Sequence, residues 1–577
     1  MTDNISYNDY SKSVTSFFKF LKNSKSYKEL TLRSIKVENK DDFLLVPISK
    51  IHLNDTNVIK KLCKWRNKNS NFFIEKNKTN FNRTKKWMKN NLLDVEDKIL
   101  FLVVRDGGHL IGHIGLANCL NKKMRFEIDN VIKGEKDENK EIFSVVLQEL
   151  IRWASQVFYV NSFFLRVLNT NNRAINFYKK NNFKIINNKS NNKKSKEPYV
   201  VMSYKERQNG NKFILTAGPS ISQKEVSYVN DAVSKGWNNK ANDYIKKLEK
   251  KFCKYLNCKY AIPTSSCTGA MHIALMALGI KKGDEVILPN ITWVATANAI
   301  AYVGATPIFA DIDLKDWGID ANKIKKLITK KTKAIMPVHL YGQPCNMEKI
   351  IKIAKKYNLY VIEDAAPAIG AKFKNKKCGT FGDFGAFSFQ GAKLLVSGEG
   401  GMLVTNNKKL YLKALKISNQ GRNYKKTFFI DNLGVKYKMS NIQAALALGQ
   451  LERIDALIAL KRRIFGWYNK YLNNLKSVSL NHETQNTKSI YWMSSIILNK
   501  KAKIKRDELM KILLKNKIDS RPVFPELSSF KYWNKKNVSS LKNSKYLSSS
   551  AINLPSGVCL KEDQIKKVCK IIKANLR

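Results

Sequence analysis

One lysine of this chain lies where a lysine can act as a nucleophile. Lys393 follows the apolar run 386–389, which reads as a strand, and lies in a turn of small residues that leads to a second apolar run at 402–405. Loss of water lowers the pKa of such an amine and lets it form a Schiff base with a carbonyl group. In a chain with 104 lysines and arginines, the ordinary alternative is a surface lysine.

An acid upstream favours the chemical interpretation. Asp364 ends the run 360–364, which is typical of a buried parallel strand. Pyridoxal phosphate forms Schiff bases with lysine, and it needs a carboxylate at its pyridine nitrogen because the protonated ring is the electron sink. An acid at a strand end also caps helices. With Lys393 downstream in its strand-turn context, we interpret Asp364 as the partner of the ring.

These motifs, in this order, resemble the DegT/DnrJ/EryC1 family of sugar aminotransferases from about residue 213 to the C-terminus. The resemblance implies a fold-type I architecture with bound pyridoxal phosphate. It also implies that Lys393 forms the Schiff base and then moves protons between substrate and cofactor, while Asp364 keeps the ring nitrogen protonated. Related dehydratases lack the lysine, so Lys393 disfavours that branch.

Further cofactor contacts are expected in the same part of the chain. A helix that begins near Cys267 and Thr268 offers hydroxyl and N–H groups to the cofactor phosphate, although simple N-capping gives the same pattern. The resemblance implies that Trp293 stacks on the cofactor ring and that Ser388 binds the phosphate. A core tryptophan is the alternative interpretation of Trp293.

Two positions depart from the common family pattern. Lys436 stands where the family usually has an asparagine that reaches the phosphate across a dimer, and lysine can bind an anion as a point charge. Pro367 stands where a glutamine or histidine often reaches the ring oxygen, so a polar contact is lost. The resemblance implies a homodimer, a nucleotide-sugar substrate and glutamate as the amino donor.

A second pattern precedes this one. The order hairpin, strand, helix, strand, helix resembles the GNAT acyltransferase fold, and Asn171-x-x-Ala174-x-x-x-Tyr178 resembles its final motif. The resemblance implies acetyl-CoA as co-substrate, with Asn171 at the coenzyme A arm and Tyr178 protonating the departing thiolate. Packing of this helix into a core is an equal alternative. The predicted elements lie at 99–104, 110–116, 126–132, 140–158, 163–168 and from 171.

Glu127 and Gly134 complete the predicted acyl-transfer site. Glu127 is the candidate base that takes the proton of the attacking amine, and a solvent-facing strand carboxylate is the alternative. Such folds hold the pyrophosphate on backbone N–H groups of a glycine-bearing loop at a helix N-terminus. Here the loop 133–141 keeps only Gly134, and Asn182 replaces the glycine that usually precedes Phe183.

The elements that position these residues require more than one α/β domain, because 577 residues exceed one core. We expect an N-terminal extension at 1–25, a GNAT-like mixed α/β domain at 26–205, a linker at 206–212 and the aminotransferase domain at 213–577. The large part of the latter, to about 455, has a parallel or mixed sheet with helices on both faces. Its small part, 456–577, is α+β. In the parallel sheet of the large part, active residues are expected at the carboxyl ends of the strands.

Composition narrows the function classes. The chain has no apolar run of transmembrane length and no leader-like start, so we expect a cytoplasmic protein without membrane contact. Nine cysteines without C-x-x-C pairs predict reduced thiols and no metal. The net charge of +58 invites a nucleic-acid hypothesis, but the lysines are spread through both halves, so we expect no nucleic acid.

The sequence therefore predicts a bifunctional enzyme of surface polysaccharide or glycan biosynthesis. One domain transfers an amino group to a nucleotide-linked keto-sugar, and the other acylates the new amine from acetyl-CoA. The fusion is chemically sensible because the first product is the second substrate. Two alternatives stay open: an active aminotransferase joined to an inactive GNAT-like domain, and a non-catalytic sensing or regulatory scaffold.

Overall fold

The computed structural model describes residues 7–37, 40, 42–73, 78–158, 160, 162–187, 199–204, 213–423, 425–533 and 541–576. These residues form two compact units. The N-terminal unit comprises 7–204 and 220–227, and the C-terminal unit comprises 213–219 and 228–576. The predicted linker at 206–212 lies outside the described residues.

The N-terminal unit is built on one eight-stranded sheet in the order β1-β2-β3-β4-β5-β6-β8-β7. Its strands are β1 (Ile35–Lys36), β2 (Phe43–Pro47), β3 (Ile99–Arg105), β4 (His109–Ala117), β5 (Phe126–Lys133), β6 (Phe163–Leu168), β7 (Phe183–Asn187) and β8 (Tyr199–Tyr204). Its helices are α1 (Tyr7–Lys22), α2 (Tyr27–Leu32), α3 (Thr56–Lys68), α4 (Phe81–Trp87), α5 (Ile142–Phe158) and α6 (Asn172–Lys180). The predicted order of hairpin, strand, helix, strand and helix is confirmed.

The two central strands part from each other. β5 and β6 are parallel but pair only at Phe126 with Phe163 and at Glu127 with Phe164. Beyond these residues β5 stays paired with β4, whereas β6 stays paired with β8. A gap therefore opens between the carboxyl ends of two neighbouring parallel strands, which is where α/β folds place ligands.

Helix α1 belongs to the core of the N-terminal unit, although the sequence analysis treated residues 1–25 as a separate extension. The Phe18 ring meets Phe158 edge to face with 5.5 Å between centroids. The amine of Lys22 donates to the carbonyl oxygens of Leu92 and Val95, and burial lowers its pKa to about 8. The buried apolar residues of α1 are Tyr10, Val14, Phe17, Phe18 and Leu21.

This packing predicts a large loss of stability on truncation of one ring. Phe18→Ala is expected to lower the free energy of unfolding by about 3–5 kcal/mol, because it removes a fully buried aromatic side chain and leaves a cavity. Urea unfolding followed by circular dichroism measures the change. Lys19→Ala, at an exposed position of the same helix, is the control. A loss below about 1 kcal/mol for Phe18→Ala would contradict a core role for α1.

The C-terminal unit contains three sheets. Its strands are β9 (Tyr260–Thr264), β10 (Glu285–Pro289), β11 (Thr306–Ala310), β12 (Thr332–Ile335), β13 (Tyr360–Asp364), β14 (Lys372–Phe373), β15 (Lys376–Lys377), β16 (Phe384–Ser388), β17 (Gly401–Thr405), β18 (Val478–Leu480), β19 (Thr487–Lys488), β20 (Ser495–Leu498), β21 (Arg521–Pro522) and β22 (Ala551–Asn553).

The helices of this part of the chain start with α7, whose first residues group with the N-terminal unit. They are α7 (Gln223–Lys235), α8 (Asp243–Leu256), α9 (Cys267–Leu278), α10 (Ala295–Tyr302), α11 (Ala321–Leu327), α12 (Met347–Lys356), α13 (Lys408–Ser418), α14 (Asn441–Leu451), α15 (Ile454–Leu472), α16 (Arg506–Lys515), α17 (Lys542–Ser550) and α18 (Glu562–Leu576). Helix α15 connects the large part to the small part.

The large sheet has the order β11-β10-β12-β13-β16-β17-β9. Strands β11, β10, β12, β13 and β16 are parallel, as predicted, and β17 is antiparallel to both of its neighbours. The chain turns back after β16 through a loop without a helix, which permits antiparallel pairing. Two apolar clusters, one containing α9 and α10 residues and one containing α11 and α12 residues, cover the sheet. The predicted fold class is confirmed.

Strand β12 is short and ends at Ile335. Pro337 has no N–H group and interrupts the ladder, although Met336 still donates to Ile287 and Val338 still bridges Asp364. The irregular segment carries the chain to His339 at the edge of the sheet where β13 ends.

The small part contains a four-stranded sheet in the order β18-β20-β22-β21, and residues of α15, α16 and α18 share its apolar core. A three-stranded sheet, β15-β14-β19, pairs a hairpin of the large part with a short strand of the small part. Within the described ranges, no helix combines the length and the apolar character that crossing a bilayer requires. Nor do the residues described group three or more histidine, cysteine or acidic side chains in a way that would hold a metal ion.

Candidate active site

The two residues with the strongest sequence signal meet at one edge of the large sheet. Asp364 is the last residue of β13 and pairs in register with Ala386 of the parallel strand β16. Lys393 follows β16, in a turn where its N–H donates to the carbonyl oxygen of Gln390 at 2.8 Å. Because parallel strands end at the same edge, the acid and the amine are brought close enough to interact electrostatically.

Asp364 is a buried carboxylate prepared for a positive partner. One oxygen accepts the hydroxyl of Thr296 at 2.8 Å, and the other accepts the N–H of Ala366 at 3.1 Å. Burial raises the pKa of Asp364, while these hydrogen bonds and the charge of Lys393 oppose the rise. A protonated pyridine nitrogen would compensate this buried charge, so the site fits pyridoxal phosphate.

Lys393 is half-buried, and burial lowers the pKa of its amine to about 8 despite the opposing effects of Asp364 and Cys267. About a tenth of the amine is then unprotonated at pH 7, far more than for an ordinary lysine, and the unprotonated form is the one that Schiff-base chemistry requires. The amine lies 3.8 Å from the ring centroid of Trp492, a residue that the sequence analysis did not single out.

The start of α9 provides the predicted anion site. Ser266 is the N-cap, and its hydroxyl accepts the N–H of Gly269 at 3.1 Å. Cys267 is buried and Thr268 is half-buried in the first turn. Among the described residues nothing accepts a hydrogen bond from the N–H groups of Cys267 and Thr268, so both can face a phosphate. Their roles in cofactor binding stay predictions.

The other predicted cofactor contacts lie in different surroundings. Ser388 is buried at the end of β16, and its hydroxyl accepts the N–H of Gln390 at 3.4 Å. Trp293 is 59% exposed and 5.7 Å from the ring of Phe524, so the alternative of a core tryptophan is wrong. Lys436 is exposed on the loop before α14. The contacts of Ser388, Trp293 and Lys436 with the cofactor stay predictions.

A second buried acid, Glu363, anchors the backbone next to the site, and the sequence analysis did not identify it. Glu363, next to Asp364, is fully buried and accepts the N–H groups of Gly379, Phe381 and Gly382 at 2.6–2.8 Å. The ring of His339 adds a contact of 3.0 Å from Nε2, while its Nδ1 accepts the N–H of Cys345. The only available signal was strand alternation, which turns consecutive acids to opposite faces. This network fixes the turn that precedes β16.

In the N-terminal unit, Glu127 does not face solvent. The residue is 4% exposed, so the solvent-facing alternative is wrong. The guanidinium of Arg166 donates to both oxygens, at 2.7 and 3.1 Å, and the amide of Asn118 donates as well. A carboxylate held in this way must release a partner before it can take a proton. The base role of Glu127 stays a prediction.

Tyr178 is buried on α6, with its ring 5.2 Å from Phe177 and 5.6 Å from Phe183. Burial and the charge of Asp129 raise its pKa, so the phenol keeps its proton. Asp129 lies on the stretch of β5 that has parted from β6. The position is compatible with both the packing and the acid interpretations, and the acid role stays a prediction.

The remaining two predicted residues are engaged within the unit. Asn171 is the N-cap of α6, and its side-chain oxygen accepts the N–H of Ala174 at 3.1 Å, which leaves its amide group for another contact. The prediction that the N–H of Gly134 binds the pyrophosphate needs correction. This N–H donates to the carbonyl oxygen of Ile111, so this group is not available to a pyrophosphate. A glycine is needed there because a Cβ atom would overlap the indole of Trp65.

The packing at Gly134 predicts a structural effect. Gly134→Ala is expected to destabilise the N-terminal unit by about 1–3 kcal/mol, because the methyl group must displace a fully buried indole. Thermal unfolding monitored by circular dichroism measures it. Gly218→Ala is the control, because this position has open space around it and no left-handed backbone. An unfolding midpoint equal to that of the wild type would refute the packing argument.

The comparisons with known proteins agree with this geometry. Residues 219–573 match the DegT/DnrJ/EryC1/StrS aminotransferase family, and residues 62–183 match the Acetyltransferase (GNAT) family. GDP-perosamine synthase of Escherichia coli O157:H7 is 43% identical over 63% of this chain and 98% of its own length. The enzyme of that name from Vibrio cholerae is 40% identical over 62% and 97%. A DegT DnrJ EryC1 StrS aminotransferase from Brucella abortus, 28% identical, superposes with a TM-score of 0.57 over 61% of this chain and 95% of its own.

Fold and site together define a pyridoxal phosphate-dependent aminotransferase of fold type I. The family match covers more than half of the chain, from the residues before α7 into α18. The chain belongs to the DegT/DnrJ/EryC1/StrS aminotransferase family, and its N-terminal part has a GNAT fold. Both resemblances found in the sequence are therefore confirmed.

Proposed function

We propose that the C-terminal unit transfers an amino group, with glutamate as donor, to a keto-sugar carried by a nucleotide. The observation that carries this proposal is the pairing of Asp364, at the carboxyl end of β13, with Lys393 in the turn that follows β16. The two curated relatives are named as synthases of a GDP-linked sugar, which supports GDP as the carrier. The family resemblance supports glutamate.

Bound pyridoxal phosphate supplies the electron sink for the reaction. Asp364 keeps its own negative charge and thereby holds a proton on the ring nitrogen, while Thr296 and the N–H of Ala366 hold the carboxylate in place. Thr268, Ser388 and the N–H groups at the start of α9 bind the phosphate. The amine of Lys393 has a pKa of about 8. It would take the proton from the substrate carbon that carries the amino group and deliver that proton to the cofactor, acting first as base and then as acid.

Mass spectrometry of reaction products tests this function. The purified protein is incubated with glutamate and a panel of keto-sugars linked to GDP, UDP or dTDP. The expected result is one amino-sugar product from the GDP-linked substrates, together with 2-oxoglutarate. Amination only of a sugar linked to another nucleotide would overturn the carrier, and a protein that binds no cofactor and forms no product would favour the scaffold alternative.

For the N-terminal unit we infer N-acylation of the new sugar amine from acetyl-CoA. The gap between the carboxyl ends of β5 and β6 supports it, since an extended ligand can enter between strands that have parted. Tyr178 beside Asp129, and Glu127 at the point of parting, would serve as proton donor and acceptor. The pyrophosphate needs groups other than the N–H of Gly134.

Release of free coenzyme A with the amino-sugar product as acceptor tests the second activity. Tyr178→Phe keeps the packing of the ring and removes the proton donor, so a loss of roughly 10²–10⁴-fold is expected. In Glu127→Gln the side-chain oxygen can still accept hydrogen bonds from Arg166 and Asn118, but the carboxylate that would take the proton is lost. This variant therefore tests the role of Glu127 as the base. Thiol release that is absent in the wild type would support an active aminotransferase joined to an inactive GNAT-like domain.

We also propose that the protein acts as a homodimer. An exposed apolar segment lies on the loop between α13 and α14 and contains Phe428, 95% exposed, and Leu433, 86% exposed. Apolar side chains exposed to this degree are typical of an interface. Sedimentation of the wild type should give a dimer, and Leu433→Asp should give a monomer. A monomeric wild type would refute this proposal.

A further inference from the structure

Trp492 is held by the same turn that carries Lys393. Its indole N–H donates to the carbonyl oxygen of Ala392 at 2.8 Å, and its ring lies 3.8 Å from the amine of Lys393. A second support is Tyr341, which stacks on the indole with 5.8 Å between centroids and an interplanar angle of 24°. The ring is therefore fixed to the backbone and to a buried neighbour while it covers the amine.

A buried lysine holds the backbone of this tryptophan. Lys461 on α15 is 5% exposed, and its amine donates to the carbonyl oxygens of Trp492 at 2.8 Å and Ser556 at 2.6 Å. Burial lowers the pKa of Lys461 to about 7, and no carboxylate in the described part of the chain contributes to that shift. Its place in the core is thus not explained by an ion pair.

Packing alone does not explain why a lysine occupies position 461. Burial of an amine without a carboxylate is unfavourable, whereas an apolar side chain of similar length would fill the position without this cost. What the amine supplies is a link between two backbone segments, one before β20 and one after β22. One of these segments carries the ring over Lys393.

We propose that Lys461 is a positioning residue for the Schiff-base lysine, and that it acts through Trp492, whose indole ring holds and shields the amine of Lys393. The inference deepens the proposed transamination and rests on it for its biological meaning. The ring favours a protonated amine by its quadrupole and a neutral amine by excluding water. Burial is the largest cause of the lowered pKa of Lys393, and the indole ring lies 3.8 Å from the amine on one side of it.

The test measures the amine of Lys393 in protein without cofactor. Trace acetylation with acetic anhydride is run between pH 6 and 11, and the peptide that contains Lys393 is quantified by mass spectrometry. Wild type is expected to titrate at a pKa of about 8. Trp492→Leu and Lys461→Met are each expected to raise this value by about one unit, because water reaches the amine. Trp492→Phe keeps a ring without the indole N–H and should give a smaller rise.

Lys470→Met is the matched control, since Lys470 lies on the same helix but is exposed and pairs with Glu562. An unchanged Lys393 pKa in Lys461→Met would overturn the role of Lys461, and an unchanged value in both variants would overturn the whole inference. Loaded enzyme should show a lower kcat at an unchanged KM in both variants. If the shifts occur but no amino sugar forms, only the proposed function fails.

Discussion

Lys393→Ala should abolish the absorbance band of lysine-bound pyridoxal phosphate and reduce transamination by roughly 10²–10⁴-fold or more. Among the described residues near the end of β16, this amine alone is placed both to bind the cofactor covalently and to move the substrate proton, so its removal takes away two functions together. Spectra of the reconstituted protein and the rate of 2-oxoglutarate formation measure the two losses separately.

Lys409→Ala serves as its control, because Lys409 is an exposed lysine on α13 and should leave both readouts unchanged. Added methylamine should restore part of the rate in Lys393→Ala, since a small amine can enter the space that the side chain leaves. Full transamination by Lys393→Ala without added amine would exclude the assigned chemistry.

Asp364→Asn should reduce transamination by roughly 10²–10³-fold, because the ring nitrogen loses the charge that keeps it protonated.

The same change should raise the unfolding temperature of cofactor-free protein at neutral pH. Burial raises the pKa of Asp364, so the folded state binds this proton more tightly than the unfolded state does, and stability is lost as pH rises through the folded pKa. Asparagine carries no charge and escapes this loss.

Differential scanning calorimetry across pH measures the stability effect, and the gain over wild type should grow as pH increases. Thr296→Val removes one hydrogen bond to the carboxylate but keeps the charge, so its effect on the rate should be smaller. A fully active Asp364→Asn, or one that is less stable at neutral pH, would contradict the interpretation of this carboxylate as a buried charge.

The sequence was informative where local pattern and chemistry coincide. Lys393 and Asp364 were found because a strand end, small residues and a charged side chain occur together in short stretches. The hairpin and helix order of the N-terminal unit follows from hydrophobic alternation and turn residues. Family resemblance then supplied positions such as Thr268 and Ser388, which local pattern alone does not distinguish from helix caps.

Contacts between residues far apart in the sequence could not be predicted from local sequence pattern. Trp492 lies far from Lys393 in sequence, and nothing in the run 490–494 indicates that its ring covers an amine. Helix α1 has no motif, and only the folded unit shows Phe18 against Phe158. The N–H of Gly134 was assigned to a ligand, but hydrogen bonding to Ile111 takes precedence. Such pairings depend on tertiary geometry rather than on spacing along the chain.

Strand β13 carries two adjacent acids with opposite tasks. Glu363 binds the turn that precedes β16, and Asp364 faces the candidate active site, because neighbours on a strand point to opposite sides. A slip of β13 by a single position would exchange them, and each acid would arrive among the wrong partners. A one-residue insertion or deletion within β13 should therefore be tolerated far less in laboratory evolution than one in a surface turn, so the length of this strand constrains how far the enzyme can diverge.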